Sequence, residues 1–191
     1  MTTVLACARD GRVVMAADSM CNIYDRPVYS GADKIIRIRT GDEHEVLLGC
    51  SGASGIPAAL RAHLTIVAVP KENEDADAWA YGVAEQVTRI ASDVKLVDDG
   101  NLDGCAILGW GGRVWTIAHG VAVFHTDGVA AIGSGEGPAI GALDAFLRHA
   151  GHTLDGLTRQ VTDAVRIAIE RDKHSGGNIQ LELLAEPEWG R

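Results

Sequence analysis

The spacing of hydrophobic residues changes several times along the chain, and each change predicts a new strand or helix. Short apolar runs at residues 4–8 and 12–17 flank an Asp-Gly dipeptide, which tolerates the positive φ angles of a tight turn. A second pair of strand-like runs covers residues 34–39 and 45–50, with polar residues between them. The chain is therefore predicted to open with two β-hairpins.

Two pairs of helices alternate with further strands. Apolar residues three and four apart predict helices over residues 56–67 and 75–97. The same spacing predicts a second pair over residues 138–150 and 157–171. The remaining strands are predicted at residues 105–108, 113–117, 121–124 and 178–184.

The order of these elements predicts the fold class. A parallel sheet would require strands and helices to alternate one by one, which this chain does not do. The order instead predicts an α+β fold, in which antiparallel sheets form a sandwich covered by helix layers. No repeat, linker or low-complexity segment marks a second domain, so residues 1–191 are predicted to form a single domain. Residues 98–101 are predicted to be a loop.

Composition and charge narrow the classes of partner. The 191 residues are 47% hydrophobic and 5% aromatic, which suits one globular domain. Seventeen Lys and Arg against 26 Asp and Glu give a net charge of −9, the wrong sign for binding nucleic acid or an anionic membrane. No apolar run is long enough to cross a bilayer, and no basic leader precedes the apolar start. A cytoplasmic chain without a signal peptide is expected.

The cysteines, histidines and glycines give no sign of a cofactor. The four cysteines lack C-x-x-C spacing and are expected to be reduced thiols. The closest histidines, His149 and His152, have no accompanying carboxylate motif. The glycine-rich turn at residues 133–137 lacks the Gly-Lys-Ser/Thr ending of a phosphate loop. No metal or other cofactor is therefore expected.

The N-terminus carries the first candidate chemistry. Removal of Met1 would free the α-amine of Thr2, which would then lie on the same residue as its hydroxyl. Such an amine titrates at about pH 8. Nucleophile and base would then be paired. Many chains begin Met-Thr, so this signal is weak by itself. It gains weight from Asp18, which ends the second predicted strand, and Lys34, which begins the third, because a nearby cation lowers the pKa of a hydroxyl.

These residues fall in the order and spacing of the proteasome β subunits, which the chain resembles over nearly its whole length. The motifs that carry the resemblance are Thr2-Thr3-Val4, Asp10-Gly11, Ala16-Ala17-Asp18-Ser19, Lys34-Ile35, Gly49-x-Ser51-Gly52, Gly109-Trp110, Ile132-Gly133-Ser134-Gly135 and Arg171-Asp172-x-x-Ser175-Gly176-Gly177. The heat-shock-locus V peptidases are related. The Asp-x-x-Ser-Gly-Gly element favours the proteasome β subunits over these peptidases. The resemblance is therefore to a small bacterial-type homologue of the proteasome subunits.

The resemblance implies a four-layer αββα sandwich of the N-terminal-nucleophile hydrolase fold and the activity of a threonine endopeptidase. Thr2 would be the nucleophile and its freed amine the general base. Lys34 would be the cation that lowers the hydroxyl pKa, and Asp18 the carboxylate that orients it. The further catalytic residues implied are Ser134, Asp172 and Ser175 around the amine, and Gly49 as the oxyanion N–H donor.

The resemblance also implies where a protein or peptide substrate binds. An extended substrate would pair with strand edges at Cys21 and Asn22 on one side and at Gly49 and Ser51 on the other. The pocket for the residue before the cut would be lined by Cys21, Ala32, Ile36, Leu47, Ser51 and Gly55. Because this set has no charge, a preference for apolar residues is predicted.

Assembly is implied in the same way. The resemblance predicts a homo-oligomer of stacked rings, with six or seven subunits in each, and an ATPase or other activator ring as a possible partner. Two alternatives stay open: an amidohydrolase that uses the same nucleophile on a small amide, and a catalytically silent ring subunit. The intact set of Thr2, Asp18 and Lys34 argues against a silent subunit.

Overall fold

Thirteen strands and four helices form within the described part of the chain. The structure, a computed structural model, describes residues 2–23, 26–28, 33–71, 74–149 and 154–185. The strands are β1 (Val4–Arg9), β2 (Arg12–Asp18), β3 (Cys21–Ile23), β4 (Arg26–Val28), β5 (Ile35–Arg39), β6 (Glu45–Gly52), β7 (Val97–Asp98), β8 (Asn101–Leu102), β9 (Gly104–Trp110), β10 (Arg113–Ala118), β11 (Val121–Phe124), β12 (Val129–Ile132) and β13 (Ile179–Leu184). The helices are α1 (Ile56–His63), α2 (Ala76–Asp93), α3 (Glu136–His149) and α4 (Leu154–Arg171).

Two antiparallel sheets stack face to face. The first sheet has the strand order β12-β1-β2-β13, and the second has the order β11-β10-β9-β6-β5. Helices α3 and α4 cover the outer face of the first sheet, while α1 and α2 cover that of the second. Two short ribbons, β3-β4 and β7-β8, stand outside these sheets. The predicted αββα sandwich is confirmed.

Three apolar clusters fill the three spaces between the four layers. Successive side chains of a strand point to opposite faces, so β1 sends Leu5 toward the helices and Val4 toward the second sheet. Both side chains are fully buried. Strands that are buried on both faces need continuous apolar runs rather than alternation, which is what β1 and β2 have.

Several boundaries differ from those predicted. Helix α1 stops at His63 instead of residue 67, because Leu64 is extended and β-branched residues follow it. Val67, which lies beyond the end of the helix, is 77% exposed. Residues 98–101 are not a simple loop but the turn region of the ribbon β7-β8. The strands β3, β4 and β12 were not predicted. No helix in the described ranges is long and apolar enough to cross a membrane.

Gly49 tests how closely the two sheets pack. It lies within β6, where an added Cβ would be 2.6 Å from Cγ1 of Val4 and 2.7 Å from Sδ of Met15. Gly49→Ala should therefore lower the free energy of unfolding by about 1–3 kcal/mol. Chemical denaturation measures this change.

Gly82→Ala is the matched control, because Gly82 lies in α2 and an added Cβ there meets nothing within 4 Å. It should raise the free energy of unfolding by about 0.5–1 kcal/mol, since alanine is the better helix former. Equal stability of the two variants would contradict the close sheet packing at Gly49.

Candidate active site

The N-terminal segment lies inside the sandwich. β1 pairs with β12 on one side and with β2 on the other, so the chain starts at the centre of the first sheet. Thr2 is 3% exposed and Thr3 is fully buried. A residue just before a central strand is held by its neighbours on both sides, which suits a group that must be fixed for chemistry.

A buried ion pair lies beside this segment. The Lys34 Nζ is 2.6 Å from Oδ1 of Asp18, and neither residue is more than 4% exposed. The same Oδ1 accepts a hydrogen bond from the N–H of Thr3 at 2.8 Å. The other oxygen of Asp18, Oδ2, accepts from the N–H groups of Gly176 at 2.9 Å and Met20 at 3.2 Å. Four donors therefore satisfy one buried carboxylate.

A second network reaches the nitrogen of Thr2. Its N–H donates to Oγ of Ser134 at 3.4 Å. Oδ2 of Asp172 accepts from the hydroxyls of Ser134 at 2.5 Å and Ser175 at 2.7 Å. The hydroxyl of Thr3 lies 2.7 Å from that of Ser175 and is the donor there, because Ser175 gives its proton to Asp172. The two N-terminal threonines are thus connected through one carboxylate.

Asp172 is held in its ionised form. Partial desolvation favours the neutral acid, but the hydroxyls of Ser134 and Ser175 and the N–H of His174 outweigh it. These hydrogen bonds lower the pKa of Asp172 below its ordinary value. The carboxylate is therefore an acceptor at neutral pH and orients both hydroxyls.

A cavity of about 320 Å³ opens beside Thr2. This volume is in the range of small-ligand pockets. The end of β6, the turn that follows it and the start of α1 supply most of its wall. The described residues that line it are Thr2, Cys21, Asp33, Lys34, Cys50, Ser51, Gly52, Ala53, Ser54 and Pro57. The candidate nucleophile and the buried cation thus line one cavity.

The predicted oxyanion donor, Gly49, lies inside the second sheet. Gly49 pairs with Ile35 on one side and Ile107 on the other, in the middle of the second sheet, and it does not line the cavity. β6 continues three residues further to Gly52, which does. Gly52 has a φ of +103°, which favours glycine, and a Cβ there would lie 2.2 Å from the carbonyl oxygen of Asp103.

Three predicted pocket residues are not among those that line this cavity. Ile36 points toward the helices that cover the second sheet, and Leu47 points into the space between the sheets. Both are fully buried, so neither reaches the cavity. Gly55 faces Leu96, and it does not line the cavity either.

The other predicted substrate contacts divide into two groups. Cys21 and Ser51 line the cavity. Ala32 and the side chain of Asn22 lie outside what the structure describes. Asp33 and Lys34 also line the cavity, so two charged residues stand beside the uncharged set that was predicted. Asp33 pairs with Arg61 at 3.3 Å on the surface, with both side chains more than half exposed.

Sequence reasoning missed several residues of the site. Gly52 was visible as the second glycine of Gly49-x-Ser51-Gly52, but nothing in the sequence said which of the two faces the cavity. Thr3 was quoted only as part of a motif, yet its N–H and hydroxyl join both networks. No group of three or more metal-ligating side chains lies together among the residues described.

The lowered pKa of Asp172 has a consequence for stability. Because the folded-state pKa lies below the unfolded value of about 3.9, the ionised carboxylate stabilises the fold above that value. This contribution is lost as the pH falls toward the folded-state pKa. Asp172→Asn should therefore lose less stability than the wild type between about pH 6 and pH 3.

Urea denaturation at a series of pH values measures the effect. Ser175→Ala, which removes one donor to Asp172, should give an intermediate slope of stability against pH. Identical slopes for the wild type and Asp172→Asn would contradict the assignment.

Comparison with known proteins identifies the family. The profile of the family described as proteasome subunit matches residues 111–184. The ATP-dependent protease subunit HslV of Pseudothermotoga lettingae is 32% identical over an alignment of 193 positions, which covers 95% of this chain and 96% of that protein.

Solved structures share the fold. The eukaryotic HslV of Trypanosoma brucei has a TM-score of 0.69 at 22% identity, covering 95% of this chain and 98% of its own. BPH of Thiobacillus denitrificans has a TM-score of 0.74 at 21% identity, covering 98% and 100%. The same BPH in complex with epoxomicin has a TM-score of 0.71 at 22% identity, covering 97% and 100%. The sequence match to HslV over nearly the whole of both chains shows that this chain belongs to the family of proteasome subunits and HslV.

Proposed function

We propose that the chain is a threonine endopeptidase subunit whose nucleophile is the hydroxyl of Thr2, exposed for chemistry once Met1 is removed. Membership of the proteasome and HslV family supports a threonine protease. One observation carries the residue assignment: Oδ1 of Asp18 binds both the ammonium of Lys34 and the N–H of Thr3. The cation is thereby held against the N-terminal segment.

Acyl transfer follows from this arrangement. The hydroxyl of Thr2 attacks the carbonyl carbon of the scissile peptide bond, and its proton passes to the freed amine of the same residue. The amine then protonates the leaving amine as the peptide bond breaks, which leaves an ester on Thr2. Water hydrolyses the ester with the amine again as base. The positive charge of Lys34 lowers the pKa of the hydroxyl and favours each negatively charged intermediate.

The network around Asp172 orients the amine. Ser134 accepts from the nitrogen of Thr2 while giving its own proton to Asp172. An ionised Asp172 keeps the Ser134 hydroxyl as a donor to the carboxylate, so Ser134 can only accept from the amine. The lone pair of a neutral amine therefore remains available to the hydroxyl of Thr2. Ser175 and the hydroxyl of Thr3 complete the chain of donors.

Gly52 is the better candidate for the oxyanion donor. An oxyanion hole needs a backbone N–H that faces the reacting carbonyl beside the nucleophile. Gly52 lines the cavity with Thr2, whereas Gly49 lies inside the sheet. β5 begins only at Ile35, where it pairs with Gly49. Just before β5, the carbonyl of Lys34 accepts from the N–H of Cys50 at 2.8 Å. After Cys50, β6 continues to Gly52, and an extended substrate would pair with this part of the strand.

The cavity fits an apolar side chain of moderate size on the substrate residue that precedes the scissile bond. Cys21, Cys50, Ala53 and Pro57 give it an apolar wall. Burial raises the pKa of the Cys50 thiol to about 12, so that part of the wall carries no charge at neutral pH. Asp33 adds a negative charge near solvent, which disfavours an acidic residue in this position.

Family membership supports a ring assembly. The relative from Pseudothermotoga lettingae is named an ATP-dependent protease subunit. A ring-shaped homo-oligomer with an ATPase partner is the matching arrangement for this chain, with stacked rings of six or seven subunits and the active sites inside. A cytoplasmic location suits such a complex.

A peptide epoxyketone tests the nucleophile directly. The wild-type chain without Met1 should gain the mass of one inhibitor, and Thr2→Ala should gain none, because the adduct needs both the hydroxyl and the amine of Thr2. Intact-mass spectrometry measures this, with Thr3→Ser as a control that keeps a hydroxyl at the neighbouring position. An unmodified chain that still begins with Met1 would contradict the proposal and favour the alternative of a catalytically silent ring subunit.

Fluorogenic peptides test the pocket and the substrate class. Peptides that end in Leu should be cleaved fastest and those that end in Glu slowest, because Asp33 repels a carboxylate. Asp33→Asn should narrow the difference between Leu and Glu without abolishing cleavage. Faster cleavage after Arg than after Leu would contradict an apolar pocket. Inert peptides with an intact Thr2 adduct would favour the amidohydrolase alternative.

A further inference from the structure

The side chain of Gln180 joins the two sheets next to the buried ion pair. Gln180 lies on β13, at the edge of the first sheet, and its amide reaches the start of β5, at the edge of the second. Oε1 accepts from the N–H groups of Lys34 at 2.9 Å and Ile35 at 3.0 Å. Nε2 donates to the carbonyl of Ile35 at 2.7 Å. Three hydrogen bonds thus connect one side chain to the backbone around Lys34.

The backbone direction explains why an amide fits there. The carbonyl of Lys34 faces β6, where it accepts from the N–H of Cys50 at 2.8 Å. The N–H of Ile35 belongs to the same peptide group and points the opposite way, toward β13. An edge strand leaves such groups without a strand partner. The amide of Gln180 supplies the donor and acceptor that a third strand would have supplied.

The backbone of Gln180 belongs to the strand that pairs with the one carrying Asp18. Gln180 pairs with Ala17 in the register of β13 and β2, and its neighbour Ile179 pairs with Asp18. Gln180 therefore links the strand of the carboxylate to the backbone of its cation. A lysine side chain has four methylenes and considerable rotamer freedom, so the position of its Nζ depends on where its backbone is held.

We propose that Gln180 is a positioning residue for Lys34, and hence for the activation of Thr2. It touches neither substrate nor reacting atoms. It fixes the backbone from which Lys34 reaches Asp18, while Cys50 holds the same peptide from the other side. This inference rests on the proposed function, in which the ammonium of Lys34 lowers the pKa of the Thr2 hydroxyl.

Glu182 provides a matched control. It lies two residues further along β13, on the same face of the strand, and also reaches across to β5. Its Oε2 accepts from Nη2 of Arg37 at 2.9 Å and from Nε at 3.3 Å. Loss of Glu182 removes a link between the sheet edges without touching Lys34 or Asp18. A purely structural role of Gln180 would therefore be shared by Glu182.

The experiment compares three variants of the full chain after removal of Met1: Gln180→Met, Gln180→Ala and Glu182→Ala. Gln180→Met keeps the length of the side chain but cannot form the amide hydrogen bonds, and it covers the case in which Gln180→Ala fails to fold. The rate of Thr2 modification by a peptide epoxyketone is followed by intact mass across the pH range in which the α-amine titrates. Chemical denaturation gives the stability of each variant.

Gln180→Met should slow modification between about 10-fold and 100-fold, because a catalytic group displaced by less than about 1 Å loses activity on this scale. Its rate should also rise only at higher pH than in the wild type, since a less fixed ammonium lowers the hydroxyl pKa less. Glu182→Ala should react within about 2-fold of the wild type, with an unchanged pH profile.

The outcomes separate the inference from the proposed function. If the wild type itself is not modified at Thr2, the proposed function fails. If the wild type is modified and Gln180→Met reacts at the wild-type rate, the positioning role is wrong. A loss in Gln180→Met that matches that of Glu182→Ala, with the same pH profile in both, would also overturn it.

Discussion

The ion pair between Asp18 and Lys34 is the constraint on which the rest of the structure depends. Removing both charges from water is costly, and attraction offsets this cost only when the remaining hydrogen bonds are satisfied. Here the carboxylate receives Lys34 and three N–H groups, from Thr3, Met20 and Gly176. These donors come from four separate segments of the chain. The site therefore exists only when the start of β1, the end of β2, the start of β5 and the approach to β13 come together.

The layers around the ion pair supply that convergence. β1 and β2 are buried on both faces, so hydrophobic packing against the second sheet and against α3 and α4 fixes their ends. The sheets approach closely at Gly49, which packs against Val4 and Met15 of the first sheet and pairs with Ile35 at the start of β5. Replacement of such an ion pair by apolar residues is often neutral or stabilising in other proteins. Its presence beside Thr2 is therefore better explained by chemistry than by stability.

Much of this was predictable from the sequence, for identifiable reasons. Local apolar periodicity gave most strands and helices, and the positions of Thr2, Asp18 and Lys34 follow from short segments with no ambiguity of register. Gly49 was predicted as the oxyanion donor, and the sequence does not show that β6 runs past the start of β5 to Gly52, because that extent depends on pairing between distant residues. Ile36 and Leu47 were predicted to line the pocket but lie in the core, because the sequence does not show which face of each strand is turned toward the cavity. Gln180 has no sequence signal, since one glutamine in a strand looks like any other polar edge residue.

The most direct test of this account is the rate at which a peptide epoxyketone modifies Thr2 in the variant Lys34→Met, measured on protein that lacks Met1 and retains its folded circular dichroism spectrum. Methionine keeps an unbranched side chain of similar length but removes the charge. The account predicts that modification slows by at least about 100-fold, because a preorganised charge at a reacting centre is worth several kcal/mol. Modification at the wild-type rate would show that the buried cation does not activate Thr2, and would contradict the account.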